Sequence, residues 1–456
     1  MEASFDAIVI GAGQAGPSLT GRLTAAGMTV AMVERKLFGG TCVNTGCTPT
    51  KTLVASAYAA HLARRAADYG VNAGPVTVDM AAVKARKDAV SKASRDGVEG
   101  WLLHMERCRV YHDHARFISR NSVRVGDDTL TAPRIFINVG GRARVPAMPG
   151  LDQVKILTNT SILDLDTLPR HLVIVGGSYI GLEFAQIYRR LGSEVTVIEM
   201  MPRLIAREDE DVSAAVKDIL EAEGISVRLG AECVRFEARG NDIAAGVNCG
   251  SGEPEVVGSH LLMAVGRLPN TDDLGLEAAG VALDQRGYIV TDDQLQTNVP
   301  GIWALGDCNG RGAFTHTAYN DFEIVAANLL DGETRRVSDR ILGYALYIDP
   351  PLGRVGLTET AARHAGHKVR IGMRPMTRVA RAVEKGETQG FMKLVVDAGS
   401  NQILGAAILG VGGDEAVHGV IDIMNAKAPY TVLQHAMPIH PTVSELIPTV
   451  LGELKP

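Results

Sequence analysis

The chain is predicted to be an α/β protein in which two dinucleotide-type βαβ units precede a C-terminal α+β region. Three observations predict this. The order apolar run, glycine turn, helical stretch, apolar run occurs twice, about 165 residues apart. Each second apolar run ends on an acid, Glu34 in one unit and Glu199 in the other. From about Leu342 onward the pattern shifts to longer strands and helices with no further glycine fingerprint.

The first unit runs from a strand at Phe5 to Ile10, through Gly11-Ala-Gly13-Gln-Ala-Gly16, into a helix from about Gln14 to Ala26 and a strand at Thr29 to Val33. In such a turn Gly11 permits the tight bend, Gly13 lets a pyrophosphate approach the backbone, and Gly16 allows close helix packing. Glu34 is then placed to accept a hydrogen bond from a ribose hydroxyl. A bland glycine turn with an exposed acid would require the whole strand, turn, helix, strand and acid order to be accidental.

The second unit has a strand at Leu172 to Val175, the turn Gly176-Gly177-Ser178-Tyr179-Ile180-Gly181, a helix to about Leu191 and a strand at Glu194 to Ile198. Ser178 replaces the central glycine, which weakens the fingerprint taken alone. Glu199 suits the free 2′-hydroxyl of NAD and repels the 2′-phosphate of NADP. Arg203 and Arg207 follow closely and oppose that preference, so NAD(H) is expected over NADP(H) on balance.

At 456 residues the chain exceeds one hydrophobic core. Three domains are expected: a discontinuous FAD-binding domain over 1–150 and 280–341, an NAD(P)-binding domain over 151–279, and an interface domain over 342–456. Pro-rich stretches at Val145 to Gly150 and Asn298 to Gly301 suggest crossings between modules. A net charge of -6 with interspersed signs supplies no footprint for nucleic acid or an anionic membrane. No apolar stretch approaches the roughly 20 residues a spanning helix needs. Met1 to Ile10 resembles a first strand rather than a signal peptide, so a cytoplasmic protein is expected.

Of six cysteines, Cys108, Cys233, Cys249 and Cys308 are isolated, and only Cys42 and Cys47 form a local pair. They lie in Gly39-Gly-Thr-Cys42-Val-Asn-Thr-Gly-Cys47-Thr-Pro-Thr-Lys51. Five residues on an ideal helix advance about 7.5 Å, whereas a disulfide wants Cα atoms about 4.4–6.8 Å apart. A bonded pair therefore needs a distorted helix start, which Gly46 and Pro49 are expected to supply. A helix N-terminus would also favour a thiolate. Zinc would need two further ligands at metal spacing, and none is nearby, so no metal site is expected.

The stretch Gly39 to Lys51 resembles the active-site signature of the class I pyridine nucleotide-disulfide oxidoreductases, a family that includes dihydrolipoamide dehydrogenase, glutathione reductase and mercuric reductase. The likeness runs nearly the whole chain, with the modules in the family's order. Thr297 to Asp307 (TNVPGIWALGD) resembles the second FAD signature and would set Asp307 on the flavin ribityl chain. Ile135 to Gly150 resembles the linking ATG motif, with Asn138-Val139 where Ala-Thr is usual, which puts the contact at that turn in question.

The resemblance implies roles by position. Cys47 would be the charge-transfer thiol beside the flavin and Cys42 the interchange thiol facing substrate. Lys51, paired with Glu183, would lie near flavin N5, and Tyr179 would be the gate displaced by the nicotinamide. Gly40, Thr41 and Gly140 would join the FAD site, and Gly266 the NAD(P) site. His440 and Glu445, within HPTVSE, would be the acid–base pair that reaches the cysteines of the other chain in a homodimer.

Among subgroups, the stretch Gly40 to Ala57 and the GGSYIG turn look most like mercuric-reductase-like proteins. The chain nonetheless ends Val450 to Pro456 without a cysteine pair and keeps the His–Glu dyad, both of which speak against Hg(II) as substrate. FTHTAYNDF, Phe314 to Phe322, departs from the dihydrolipoamide dehydrogenase pattern. With DPPLGRV, from Asp349, it resembles the reactive-chlorine-resistance flavoproteins, which reduce metal ions or oxidised thiols. The expected activity is two-electron transfer from NAD(P)H through FAD and the cysteine pair, to or from a disulfide or dithiol. Metal-ion reduction, dihydrolipoamide oxidation and a redox sensor without turnover are the alternatives.

Overall fold

The computed structural model describes residues 1–248 and 253–456, with only the backbone of Glu232 and Cys233; Cys249 lies outside the described residues. The first parallel sheet has the order Ile302–Ala304, Ile135–Ile137, Ala7–Ile10, Val30–Val33, Cys108–Tyr111. Its edge strand Ile302–Ala304 lies beyond the whole second unit in sequence, so this sheet is discontinuous in the chain. Strands buried on both faces read as unbroken apolar runs, and Ala7, Ile8, Val9 and Ile10 are all buried.

The second parallel sheet has the order Ile156–Leu157, His260–Met263, His171–Val175, Glu194–Ile198, Ser226–Arg228. The two glycine turns occupy equivalent places. Gly11 and Gly176 leave the C-terminal ends of Ala7–Ile10 and His171–Val175, and the helices Gly16–Ala25 and Tyr179–Leu191 follow. The first helix begins two residues later than expected and the strand boundaries shift by one or two residues, while Glu194–Ile198 lies where the pattern puts it.

The last sheet is antiparallel, in the order Gly343–Leu346, Leu352–Gly356, Ile403–Leu409, Phe391–Asp397, Val369–Pro375. Buried charges lock it to the second unit. Lys393, almost wholly buried, lies 3.3 Å from Asp209, 2.7 Å from Asp211 and 2.9 Å from Glu359. Asp209 also accepts from the backbone of Glu359 and Thr360. A buried lysine without such partners would be strongly destabilising, so the two units have one register in which this ammonium is satisfied.

One helix bridges toward the site. Cys47–Arg64 packs along both Tyr179–Leu191 and the long helix Met80–Leu103. This packing brings the segment carrying the cysteines against the helix that starts at the second glycine turn. No helix among the described residues is long and apolar enough to cross a membrane.

Candidate active site

The helical run through the cysteines is broken once. Gly40–Thr45 ends at Gly46, whose φ of −140° and ψ of −117° are not helical, and a new 18-residue helix starts at Cys47. Only glycine fits there, because a Cβ would lie 2.9 Å from the carbonyl oxygen of Thr41. Pro49 contributes no distortion: it sits in the first turn of the second helix, where its missing N–H has no helical partner to lose. The break therefore belongs to Gly46 alone.

Cys42 and Cys47 stand as free cysteines on either side of this break. The pair divides its acidity unequally. The Cys42 S–H donated to Cys47 draws the Cys47 thiol down to about 6 against the opposing effect of burial, with help from Thr315 and the Lys51 charge. Cys42 is pushed up by that same bond and by burial. Cys47 also opens its own helix, where unpaired N–H groups favour an anion. The pair therefore favours the thiolate on Cys47 and the thiol on Cys42.

Around Cys47 the structure gathers groups from distant segments. The Thr315 hydroxyl, on the first residue of the helix Thr315–Leu330, lies 3.2 Å from its sulfur. Lys51, one turn along from Cys47, pairs with Glu183 at 2.7 Å, and Glu183 is buried. Glu183 thus does not cap its own helix start; it serves Lys51. Tyr179, the first residue of that helix, has its ring 5.4 Å from Phe314 and 6.3 Å from Tyr344, and Phe314 stacks on Tyr344 at 5.5 Å. The Tyr344 hydroxyl in turn donates to Glu208.

Both glycine turns are closed by the acid that ends the next strand. Glu34 accepts from the Ala12 and Lys36 N–H groups, each at 2.8 Å. Glu199 accepts from Gly177 at 2.5 Å and Met201 at 2.7 Å. Neither first glycine tolerates a side chain: φ is +102° at Gly11 and +117° at Gly176, and a Cβ would meet the carbonyl of Asn138 at 2.3 Å or of Ala264 at 2.4 Å. Ser178 is exposed, so its side chain leaves the second turn clear. Arg203 turns toward the Ala206 carbonyl at 3.2 Å, and Arg207 is exposed.

Asn138, the residue that departs from the linking motif, is buried and donates to the Gly11 carbonyl at 3.2 Å. It clamps the first turn in place. Burial raises the Asp307 carboxyl, whose charged partner is Arg267 at 3.5 Å. The same Arg267 reaches Thr41 at 3.4 Å and the Gly141 carbonyl beside Gly140, so Thr41, Gly140, Gly266 and Asp307 share one neighbourhood. A shielded acid with an open acceptor, next to a glycine turn whose backbone must stay bare, fits a dinucleotide carrying a polyol chain.

His440 and Glu445 form their pair, Nδ1 to Oε2 at 2.8 Å, with His440 largely exposed and Glu445 shielded. Among the described residues no hydrogen bond or ion pair joins this dyad to either cysteine of the same chain. Sequence reasoning missed Thr315, Arg267 and Asp321, and marked Asn138 only as a departure from the linking motif. Asp321, also buried, accepts from the Gly306 N–H at 2.8 Å and the Asn309 side chain at 2.9 Å, which fixes the turn that carries Asp307. Thr315 and Asp321 both fall in FTHTAYNDF, where the only available signal was a departure from a pattern. No group of three or more His, Cys, Asp or Glu residues among those described is arranged to hold a metal.

Two nucleotide-type turns converging on a low-pKa thiolate, its partner thiol and a lysine define a flavin-dependent disulfide oxidoreductase. The chain belongs to the pyridine nucleotide-disulphide oxidoreductase family, whose model matches residues 5–321, with the family's dimerisation domain at 343–451. It is 34% identical to the probable pyridine nucleotide-disulfide oxidoreductase RclA of Escherichia coli, over 99% of each chain. It is 33% identical to a mercuric reductase of Bacillus cereus, over 95% of this chain and 70% of that one. A solved Cu(II) complex of the HOCl-induced flavoprotein disulfide reductase RclA from Escherichia coli superposes with a TM-score of 0.90 at 34% identity, covering 99% of this chain and 100% of that one.

The hydrogen bond from Thr315 has a measurable consequence. A neutral donor to a charged acceptor is worth about 1.5–3 kcal/mol, which corresponds to roughly one to two pH units on the acceptor. Thr315→Val should therefore raise the Cys47 pKa by about one unit from its depressed value. The thiolate, dominant above pH 6 in the parent, would then form only nearer pH 7. Ultraviolet thiolate absorbance of the reduced protein against pH, with Cys47→Ser as the blank, reads the shift directly.

Proposed function

We propose that this enzyme moves two electrons from NADH to a disulfide substrate through FAD and the Cys42–Cys47 couple, as a homodimer. The observation that carries the reading is the Cys47 thiolate site, where Cys42, Thr315 and the Lys51–Glu183 pair meet beside two glycine turns. The working division is 1–150 with 280–341 for FAD, 151–279 for NAD(P) and 342–456 for contact between subunits. The return of Ile302–Ala304 to the first sheet supports it.

In this reading the Gly11, Gly13 and Gly16 turn holds the FAD pyrophosphate and Glu34 a ribose hydroxyl. Gly40, Thr41, Gly140 and Asp307 hold the remainder, and Gly176, Gly181, Glu199 and Gly266 hold the nicotinamide nucleotide. When bound, the flavin supplies two-electron transfer between nicotinamide and the cysteine pair. Tyr179 covers the approach until the nicotinamide enters, and the Phe314–Tyr344 shelf supports its ring. Lys51 places a positive charge beside the reacting centre, and Glu183 holds it there.

The dithiol then does the chemistry on substrate. Cys42 gives its proton to His440 of the other chain and attacks a substrate sulfur. The S–S bond breaks, one substrate thiolate leaves, and a mixed disulfide forms. His440 protonates the leaving thiolate, Cys47 attacks Cys42, and the second substrate thiolate departs as the Cys42–Cys47 bond closes. Glu445 orients the ring and supports its positive form. The exposed His440 within a family dimerisation domain is what favours contact across a dimer.

Three measurements test this reading. The purified protein should carry about one FAD per chain, and NADH reduction without oxygen should develop a long-wavelength absorption band. Cys47→Ser should abolish the band and Cys42→Ser should show it without reductant; the reverse pattern would exchange the two roles. Glu199 favours NADH, so NADPH should give the lower kcat/KM, and Glu199→Ala should narrow the gap. A higher value with NADPH would mean that Arg203 or Arg207 binds a 2′-phosphate. Finally, His440→Ala should cut disulfide turnover by about 10²–10⁴-fold while flavin reduction by NADH stays nearly unchanged. Full turnover in that variant would remove the dyad from the mechanism.

A further inference from the structure

The Lys51 ammonium is held by more than its carboxylate. Its Nζ lies 4.6 Å from the centre of the Tyr347 ring, within the range of a cation on an aromatic face. Tyr347 follows directly on the strand Gly343–Leu346 and belongs to the C-terminal sheet region, nearly 300 residues from Lys51 in sequence. Its backbone N–H donates to Glu183 Oε1 at 3.0 Å, while Glu183 Oε2 takes the Lys51 ammonium at 2.7 Å. One residue therefore orients both members of the ion pair, the carboxylate through its main chain and the ammonium through its ring.

Two features make this more than packing. Lys51 is partly exposed, with a third of its side chain open to solvent, so Glu183 alone does not confine a long, flexible ammonium. The Tyr347 ring is half-buried, and burial together with Asp414, Glu183, Cys47 and Glu415 pushes its hydroxyl up, so the ring stays neutral and its face stays attractive to a cation.

We propose that Tyr347 is a positioning residue that fixes the Lys51–Glu183 pair where the ammonium acts on the Cys47 sulfur. The proposal rests on the roles given above to Lys51 and Cys47. Among the groups that bear on that sulfur are Cys42, Thr315, Lys51 and Glu183, and the Tyr347 ring face acts on Lys51. The C-terminal region thereby supplies a part of the redox centre of its own chain, separate from any contribution it makes across a dimer.

The test uses the Cys42→Ser holoenzyme, in which the long-wavelength band of the oxidised protein titrates with the Cys47 thiolate. In that background Tyr347→Leu should raise the midpoint pH by about half a unit, the scale of a cation–π interaction near the surface. Tyr347→Phe keeps the ring face and the backbone N–H and should stay within about 0.2 unit of the parent. Lys51→Met should also raise the midpoint, and adding Tyr347→Leu to it should give no further rise, because the two residues act through one charge. Should Tyr347→Leu fail to fold, Tyr347→Met, of similar length, takes its place. An unmoved midpoint in Tyr347→Leu beside a raised one in Lys51→Met overturns the proposal alone. Fully additive shifts also overturn it, since they would mean that Tyr347 acts independently of Lys51. An unmoved midpoint in Lys51→Met overturns the proposal and the Lys51 assignment together.

Discussion

Two cysteines of unequal acidity brought to one place are the condition on which this site depends, and the break at Gly46 brings them there. In one continuous helix the two sulfurs would be separated by about 7.5 Å of rise and turned to different faces. The break lets Cys42 close on Cys47 and makes Cys47 the first residue of a new helix, where N–H groups face it unpaired. It also sets the face on which the next turn projects. Lys51 is four residues on, so its side chain rises over the same surface as Cys47.

Every other element of the site serves Cys47 from another part of the chain. Thr315 reaches it from the helix after the Asp307 turn, Glu183 holds Lys51 from the helix after the second glycine turn, and Tyr347 comes from the C-terminal region. The site is a seam between three packed units, and such a seam is only as accurate as their docking. Buried charge fixes the docking of the C-terminal sheet on the second unit: Lys393 against Asp209, Asp211 and Glu359. It would be left uncompensated by a shift of register, so wrong arrangements are strongly disfavoured.

Much of the fold is legible in the sequence because its signals are local. An apolar run, a glycine turn and an acid at the end of the next strand fall within about thirty residues, and the strand Glu194–Ile198 and the turns at Gly11 and Gly176 lie where that pattern puts them. The cysteine pair is legible for the same reason, although Pro49 has no share in the distortion and sits harmlessly in a first helical turn. Asn138 is legible only as an irregularity. Its amide does a job that no spacing rule states, spanning from one strand end to the carbonyl of Gly11.

The sequence by itself determined which chemistry this protein performs, since the turns, their acids and the cysteine pair are each written within short windows where backbone geometry follows from neighbouring residue types. The tertiary structure alone decided what surrounds the pair and holds the charge on Cys47. Cys42 and Cys47 are the same residue type, and nothing local to either distinguishes their acidity fully. Their interaction with each other leads that difference, and what completes the setting of Cys47, namely Thr315 and the partners Glu183 and Tyr347 of Lys51, lies more than 130 residues away in the chain and reaches the site only through packing. A side chain's pKa depends on charges and dipoles within a few ångströms in space, and distance along the chain does not report that.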